Sequence, residues 1–231
     1  MPSAIPLSLA CGDYDINRGL IDGTISPDGI DFTVLTYPSP SRHWRMGRHE
    51  EFDVCEFSMS DYLMYHDRGR EWTAIPAFPH RRFRHGFIYV NSKAGIAKPK
   101  DLEGRRVGLQ TWEATAGLWG RGILQDQYGV DLSSIDWIAQ HDEVVPFEPP
   151  ERFRLSYVEH GQSVTAMLER GELDALIYPE VPKAIENGDP RVRRLFADTK
   201  AEEIAYYELT GFFPIMHTVV IKRAIVDANP W

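Results

Sequence analysis

The densest chemistry in the chain is His80-Arg81-Arg82-Phe83-Arg84-His85, five basic or titratable side chains within six residues of a protein with a formal charge of −9. Arginine offers a planar fork of donors that meets a carboxylate at two points at once. The stretch therefore reads as an anion-recognition loop, with a solvated loop balancing nearby acids as the plainer alternative. Arg84 and His85 are the leading candidates; Arg81 and Arg82 follow them. Asp13 stands just past an apolar, strand-like run and can be an acid/base group or a helix N-cap. Ser58 and Ser60 offer hydroxyls and, at a helix start, backbone N–H groups suited to an anion. Ordinary capping explains them equally well.

Further along, Gln110, Thr111, Trp112 and Thr115 repeat that logic, and Trp112 can stack on an aromatic ring. Tyr178 and Glu180 close another strand-like run, where Glu180 is a general acid or a surface charge. His217 lies in the closing strand and reads as a core histidine or as a ligand contact. His80 and His85 are spaced neither as a helical pair nor as a tight-turn metal site, and His141-Asp142-Glu143 falls in an expected surface loop. Nucleophile elbows, P-loops and dinucleotide fingerprints do not occur. The expectation is no cofactor and no metal.

The elements that must position these residues alternate. Leu7 to Cys11 reads as a strand closed by Gly12-Asp13, Tyr14 to Ile21 as a short helix, and Ile30 to Leu35 as a second strand. Ser39-Pro40 opens a helix rich in basic residues. Phe52 to Phe57 is a third strand, followed by a helix from Asp61 to Arg68 that ends at Gly69. After the basic loop, His85 to Asn91 reads as a strand, and Lys93 to Lys100 as a connection of low apolar content. The rhythm resumes with Arg105 to Leu109, a helix from Thr111 or Thr115 to Tyr128, and Trp137 to Gln140. His141 to Arg154 is Pro- and Glu-rich and reads as a surface excursion. Gln162 to Arg170 (helix), Leu173 to Tyr178 (strand), Val192 to Phe196 (strand), Ala201 to Leu209 (helix) and Ile215 to Ile221 (strand) complete the chain. Short units of strand and helix in alternation predict an α/β fold with a mostly parallel sheet.

With 231 residues, 43% of them hydrophobic, the chain can bury one large core or two smaller ones. The acidic balance repels phosphate backbones, so no nucleic-acid partner is expected. No apolar run approaches the length of a membrane span, so no membrane is expected either. The first ten residues lack a basic region followed by a long apolar one, which argues against a secretory signal. Cys11 and Cys55 have no metal-type spacing and read as buried free thiols. These points together predict a cytoplasmic protein.

Three stretches resemble the 4,5-dihydroxyphthalate decarboxylases. They are Leu7-Ser8-Leu9-Ala10-Cys11-Gly12-Asp13-Tyr14-Asp15, Phe52-Asp53-Val54-Cys55-Glu56-Phe57-Ser58-Met59-Ser60 with Tyr62-Leu63, and Ile75-Pro76-Ala77-Phe78-Pro79 with Phe83-Arg84-His85 and Ile88-Tyr89-Val90-Asn91. The third is the most specific. Asp101 to Gly108 and Leu168 to Ala175 are similar to solute-binding proteins more broadly.

The resemblance implies a two-lobed type II periplasmic-binding-protein-like fold with a ligand cleft between lobes. It implies lobe one over residues 1–91 plus 214–231, lobe two over 92–213, and further helix beyond Trp231, so that lobe one is expected to be truncated at its C-terminus. It implies cofactor-independent decarboxylation of a hydroxylated phthalate to a protocatechuate-type product, with a small anionic aromatic substrate as the partner and a homo-oligomer left open. Under this reading Arg84 binds carboxylate and His85 or Asp13 transfers the proton. Arg81, Arg82, Ser58, Ser60, Gln110, Thr111, Trp112, Thr115, Tyr178, Glu180 and His217 line the substrate. The alternative is a non-enzymatic solute-binding protein or sensor of the same fold. Another pathway enzyme on this fold ranks below both, because fold does not fix function.

Overall fold

The computed structural model describes residues 4–231. The first three of the ten residues read against a secretory signal lie outside them. The chain divides into two compact units, the first made of residues through Arg81 together with Ile215–Trp231, the second of Arg82–Pro214.

In unit one the chain runs β1 (Ile5–Cys11), a tight turn over Asp15–Asn17 into the one-turn helix α1 (Arg18–Ile21), β2 (Ile30–Thr36), α2 (Ser39–His49), β3 (Val54–Ser58), α3 (Met59–Asp67) and β4 (Trp72–Ile75). Pro40 at the start of α2 leaves no helical N–H unmet, and the Ser58 hydroxyl accepts from the Asp61 N–H to cap α3. Every residue of β3 is buried, as expected of a central strand covered on both faces. β1 pairs in parallel with β2 and with β3. On its return the chain adds β11 (His217–Lys222) antiparallel to β3, with His217 opposite Ser58, and then α8 (Arg223–Ala228). The sheet order is β2-β1-β3-β11-β4. One consequence matters for function: the carboxyl ends of β1 and β3 and the beginning of β11 lie at the same edge of this sheet. Met46, Phe52, Cys55, Phe57, Trp72 and Val220 form the core beneath it.

Unit two contains β5 (Ile88–Asn91), β6 (Arg106–Leu109), α4 (Thr115–Asp126), β7 (Asp136–Ala139), β8 (Arg154–Tyr157), α5 (Val164–Arg170), β9 (Ala175–Ile177), α6 (Lys183–Glu186), β10 (Val192–Arg194) and α7 (Thr199–Thr210). Its sheet order is β10-β5-β9-β6-β7-β8, parallel through β9, β6, β7 and β8 and antiparallel at β5. Helices cover both faces, over one apolar cluster centred on Leu109, Leu124, Trp137 and Ile177 and another on Tyr89, Val164, Leu168 and Leu176.

The structure moves several boundaries. Ile88–Asn91 belongs to the second sheet, so the first crossing comes at Arg81/Arg82 and not after Asn91. The reason is hydrogen bonding: Asn91 closes the antiparallel ladder opposite Val192, and its side-chain amide donates to the Leu168 carbonyl at 2.7 Å. His85–Phe87 is a single turn of tight helix where a strand was expected. The expected surface excursion ends in an edge strand, β8, whose alternation is masked by exposed Arg154, Ser156 and Tyr157.

Candidate functional site

Glu56 interrupts an apolar strand, and its side chain has no exposure to solvent. A carboxylate buried this way must be satisfied by donors. Four reach it. The Gly12 N–H donates to Oε2 at 2.7 Å, while the Tyr14 hydroxyl (3.0 Å), the Arg42 guanidinium (3.0 Å) and His217 Nδ1 (2.5 Å) converge on Oε1. The donors arrive from three elements: Gly12 and Tyr14 from the loop after β1, Arg42 from helix α2 and His217 from strand β11. Burial pushes the Glu56 pKa up, but the His217 hydrogen bond and the Arg42 charge outweigh it and bring the group down to about 2. The carboxylate is therefore ionised and can only accept, which places the proton of the His217 contact on Nδ1.

Arg42, also without solvent exposure, is fixed by more than this pair. Its Nε donates to the Glu56 carbonyl at 2.8 Å and its Nη1 to the Tyr37 carbonyl at 2.5 Å. Two further imidazoles flank His217. The ring of His43 lies 4.8 Å away and that of His80 4.7 Å away, both edge to face. Burial, followed by the neighbouring His217 and Arg42 charges, holds His43 well below the usual histidine range, so it stays neutral. Cys11 closes the group at the end of β1, with its thiol pushed up first by burial and then by the Glu56 charge. Among the described residues no group of three or more His, Cys, Asp or Glu side chains is arranged to hold a metal ion.

Of the residues named from sequence, His217, Ser58 and Ser60 come together at this edge. The two serine hydroxyls lie 3.2 Å apart. Asp13 is adjacent in sequence but turns outward, 59% exposed and ion-paired with Arg18 at 2.6 Å. Arg81 is exposed and its backbone bridges to Ile215.

The remaining candidates belong to unit two. Arg84 is 2% exposed and donates to the Pro179 carbonyl at 3.1 Å; burial, with the nearby Arg82 charge, lowers it to about 10. Arg82 is exposed and lies over the Phe87 ring. His85 is wholly buried, with Nε2 2.9 Å from the Gln127 side chain and its ring among Tyr128, Phe196 and Tyr206. A ring held this way has no face toward solvent. Trp112 packs edge-on to Trp137, and Arg121 covers its face at 3.9 Å, so its ring is a core contact. Glu143 ties down the same loop by accepting the Trp112 and Glu113 N–H groups, both at 2.9 Å. Gln110 and Thr111 are half-buried, and Thr115 begins α4. Tyr178 is half-buried, and Glu180 is exposed, with its carbonyl accepting from Tyr89.

Sequence reasoning missed Arg42, His43 and Glu56 as members of a site and placed His80 only in the basic loop, not beside His217. A signal was present for Glu56, a lone carboxylate between Cys55 and Phe57 in an otherwise apolar strand.

Comparisons with known proteins accord with this architecture. The family model for ABC transporter, phosphonate, periplasmic substrate-binding proteins matches residues 24–183. The 4,5-dihydroxyphthalate decarboxylase of Comamonas testosteroni is 34% identical, over 99% of this chain and 72% of that one. The chain belongs to the 4,5-dihydroxyphthalate decarboxylase family. The enzyme of the same name from Pseudomonas putida is 30% identical, over 89% of this chain and 83% of its own. Among solved structures, the periplasmic aliphatic sulphonate binding protein of Escherichia coli superposes with a TM-score of 0.63 at 14% identity, over 100% of this chain and 68% of that one. The alkanesulfonate-binding protein of Xanthomonas axonopodis pv. citri gives 0.60 at 14% identity, over 99% and 69%. At that identity the likeness is one of fold: the two-lobed periplasmic-binding-protein-like architecture.

Proposed function

We propose that the protein is a cofactor-independent carboxy-lyase that removes one carboxylate from a hydroxylated aromatic diacid of the 4,5-dihydroxyphthalate type, releasing carbon dioxide and a protocatechuate-type monoacid. The observation that carries this reading is kinship: 34% identity to a 4,5-dihydroxyphthalate decarboxylase along 99% of the chain. The polar centre of unit one supports it, because the reaction needs what that centre supplies. A hydroxyl para to the departing carboxylate pushes electrons into the ring, and the carbon bearing the carboxylate takes up a proton. Breaking the C–C bond then returns an electron pair to the ring and restores aromaticity. The protein has to supply a positioned acid and cationic or N–H groups for the negative charge.

The test is incubation of the purified protein with 4,5-dihydroxyphthalate and with isomers lacking a para hydroxyl, following carbon dioxide and the aromatic product. Turnover of the para-hydroxylated acid alone is the expected result. Ligand-induced thermal stabilisation with no product at any enzyme concentration would replace this reading with that of a binding protein.

A further inference from the structure

We infer that His217 is the acid that protonates the ring carbon, with Glu56 as the residue that positions it. This inference rests on the decarboxylase reading and names the proton donor within it. Within the Arg42–Glu56–His217 network, two members lie wholly beneath the surface, while the His217 side chain keeps 10% of its exposure. It is the member able to touch a substrate. Its Nδ1 faces Glu56, so the transferable proton belongs to Nε2, on the opposite side of the ring.

The neighbours favour placing the charge on this imidazole. Three histidine rings sit in a row, with His217 in the middle, 4.8 Å from His43 and 4.7 Å from His80. Like charges at that spacing repel, so the cluster disfavours more than one imidazolium, and the ring bonded to a carboxylate is the one that holds it. Other titratable or charged groups beside the cluster include Cys11 and Tyr14 from the β1 loop, Arg42 from α2 and buried Asp61 of α3, which lies next to the Ser58–Ser60 pair opposite His217. Cys11 and Tyr14 are both pushed upward and stay neutral, and Arg42 shares the Glu56 carboxylate with His217.

The step balances. The Nε2–H bond breaks as a C–H bond forms at the carboxylate-bearing carbon, which leaves a neutral imidazole and a ring whose positive charge is carried by the para hydroxyl oxygen, a protonated dienone that keeps its O–H proton throughout. The ring–carboxylate bond then breaks, its electron pair returns to the ring, carbon dioxide departs, and water reprotonates the imidazole. The substrate class that follows is an aromatic acid with a hydroxyl para to the leaving carboxylate, acted on while His217 is protonated.

Wild-type protein, His217→Gln and Glu56→Gln would be assayed with 4,5-dihydroxyphthalate from roughly pH 5 to 9, bracketing the imidazole range. The wild-type kcat is expected to fall as pH rises through that range. For His217→Gln, kcat is expected to fall by about 10²–10⁴-fold, the usual cost of a lost general acid, with KM changed far less. In Glu56→Gln the alkaline limb should move to lower pH, because the imidazolium has lost its carboxylate. Wild-type inactivity toward every hydroxyphthalate overturns the function and this inference together. Wild-type turnover with His217→Gln within about tenfold of it overturns the proton donor alone. An alkaline limb unmoved in Glu56→Gln does the same for its positioning role. Should either variant fail to fold, a wild-type kcat that climbs with pH through the imidazole range is sufficient to overturn the assignment.

Discussion

Arg42 and Glu56 meet twice: the guanidinium pairs with the Glu56 carboxylate at 3.0 Å and donates to the Glu56 backbone carbonyl at 2.8 Å. Helix α2 is thereby tied to the middle of strand β3 by main chain and side chain together. A buried pair like this costs desolvation to assemble, so its net contribution is small. Removing one partner is another matter, because it strands a charge. Arg42→Met should cost about 3–5 kcal/mol in urea denaturation. A loss below about 1 kcal/mol would mean that water reaches Glu56 in the variant and that the pair is less enclosed than described.

The same carboxylate predicts acid sensitivity. Glu56 has a folded-state pKa of about 2 against an ordinary value of 4.5. A depressed carboxyl contributes stability that is present in full above its unfolded value and lost as pH falls through the folded one. Between pH 4.5 and about 2, therefore, this group alone should withdraw up to about 3 kcal/mol. Denaturation midpoints for wild type and Glu56→Gln, compared at neutral pH and again near the lower end of that window, give the measurement. The gap between them should narrow as pH falls, and a constant gap would contradict the ionised state assigned to Glu56.

Two glycines of α4 make a paired prediction. A Cβ on Gly120 would lie 2.6 Å from Ile177 Cγ2, a branched methyl in a buried β9 side chain that cannot swing away, whereas one on Gly122 would meet nothing within 4 Å. Alanine gains about 1 kcal/mol over glycine in a helix interior, and overpacking costs about 1–3 kcal/mol. Overpacking wins at Gly120, so Gly120→Ala should lower the melting temperature. Propensity wins at Gly122, so Gly122→Ala should raise it. Equal shifts of the same sign would show that α4 does not seat closely on β9.

The alternation of strand and helix was legible because apolar runs such as Leu7 to Cys11 and Leu173 to Tyr178 are bounded by glycines and caps. The crossing point was not. Ile88–Asn91 is apolar enough for either sheet, and only its pairing with Ala175–Ile177 and Val192–Arg194 decides the matter. The site was half legible for the same reason. Ser58, Ser60 and His217 announce themselves by type, but Glu56 and His217 are 161 residues apart in sequence, and nothing local says that their strands pair. Arg42 and His43 were visible only as part of a basic helix, because the amphipathic pattern of α2 does not tell a buried guanidinium from an exposed one. Conversely, the Phe83-Arg84-His85 stretch drew attention through its density of charge, although its histidine is committed to packing.

That last residue supplies a direct contrast with His217. His85 is wholly buried, hydrogen-bonded to Gln127 at 2.9 Å and enclosed by three aromatic rings, and its Nδ1 has no hydrogen-bond partner among the described residues. Replacing it by Ala removes a packed ring and leaves a cavity, so the expected loss is about 2–4 kcal/mol of stability, read from thermal or urea unfolding. Because the ring has no solvent-facing surface, turnover of the folded fraction at low temperature should fall by much less than for His217→Gln. If His85→Ala kept wild-type stability while losing turnover to the extent expected of His217→Gln, the assignments of the two histidines would have to be exchanged.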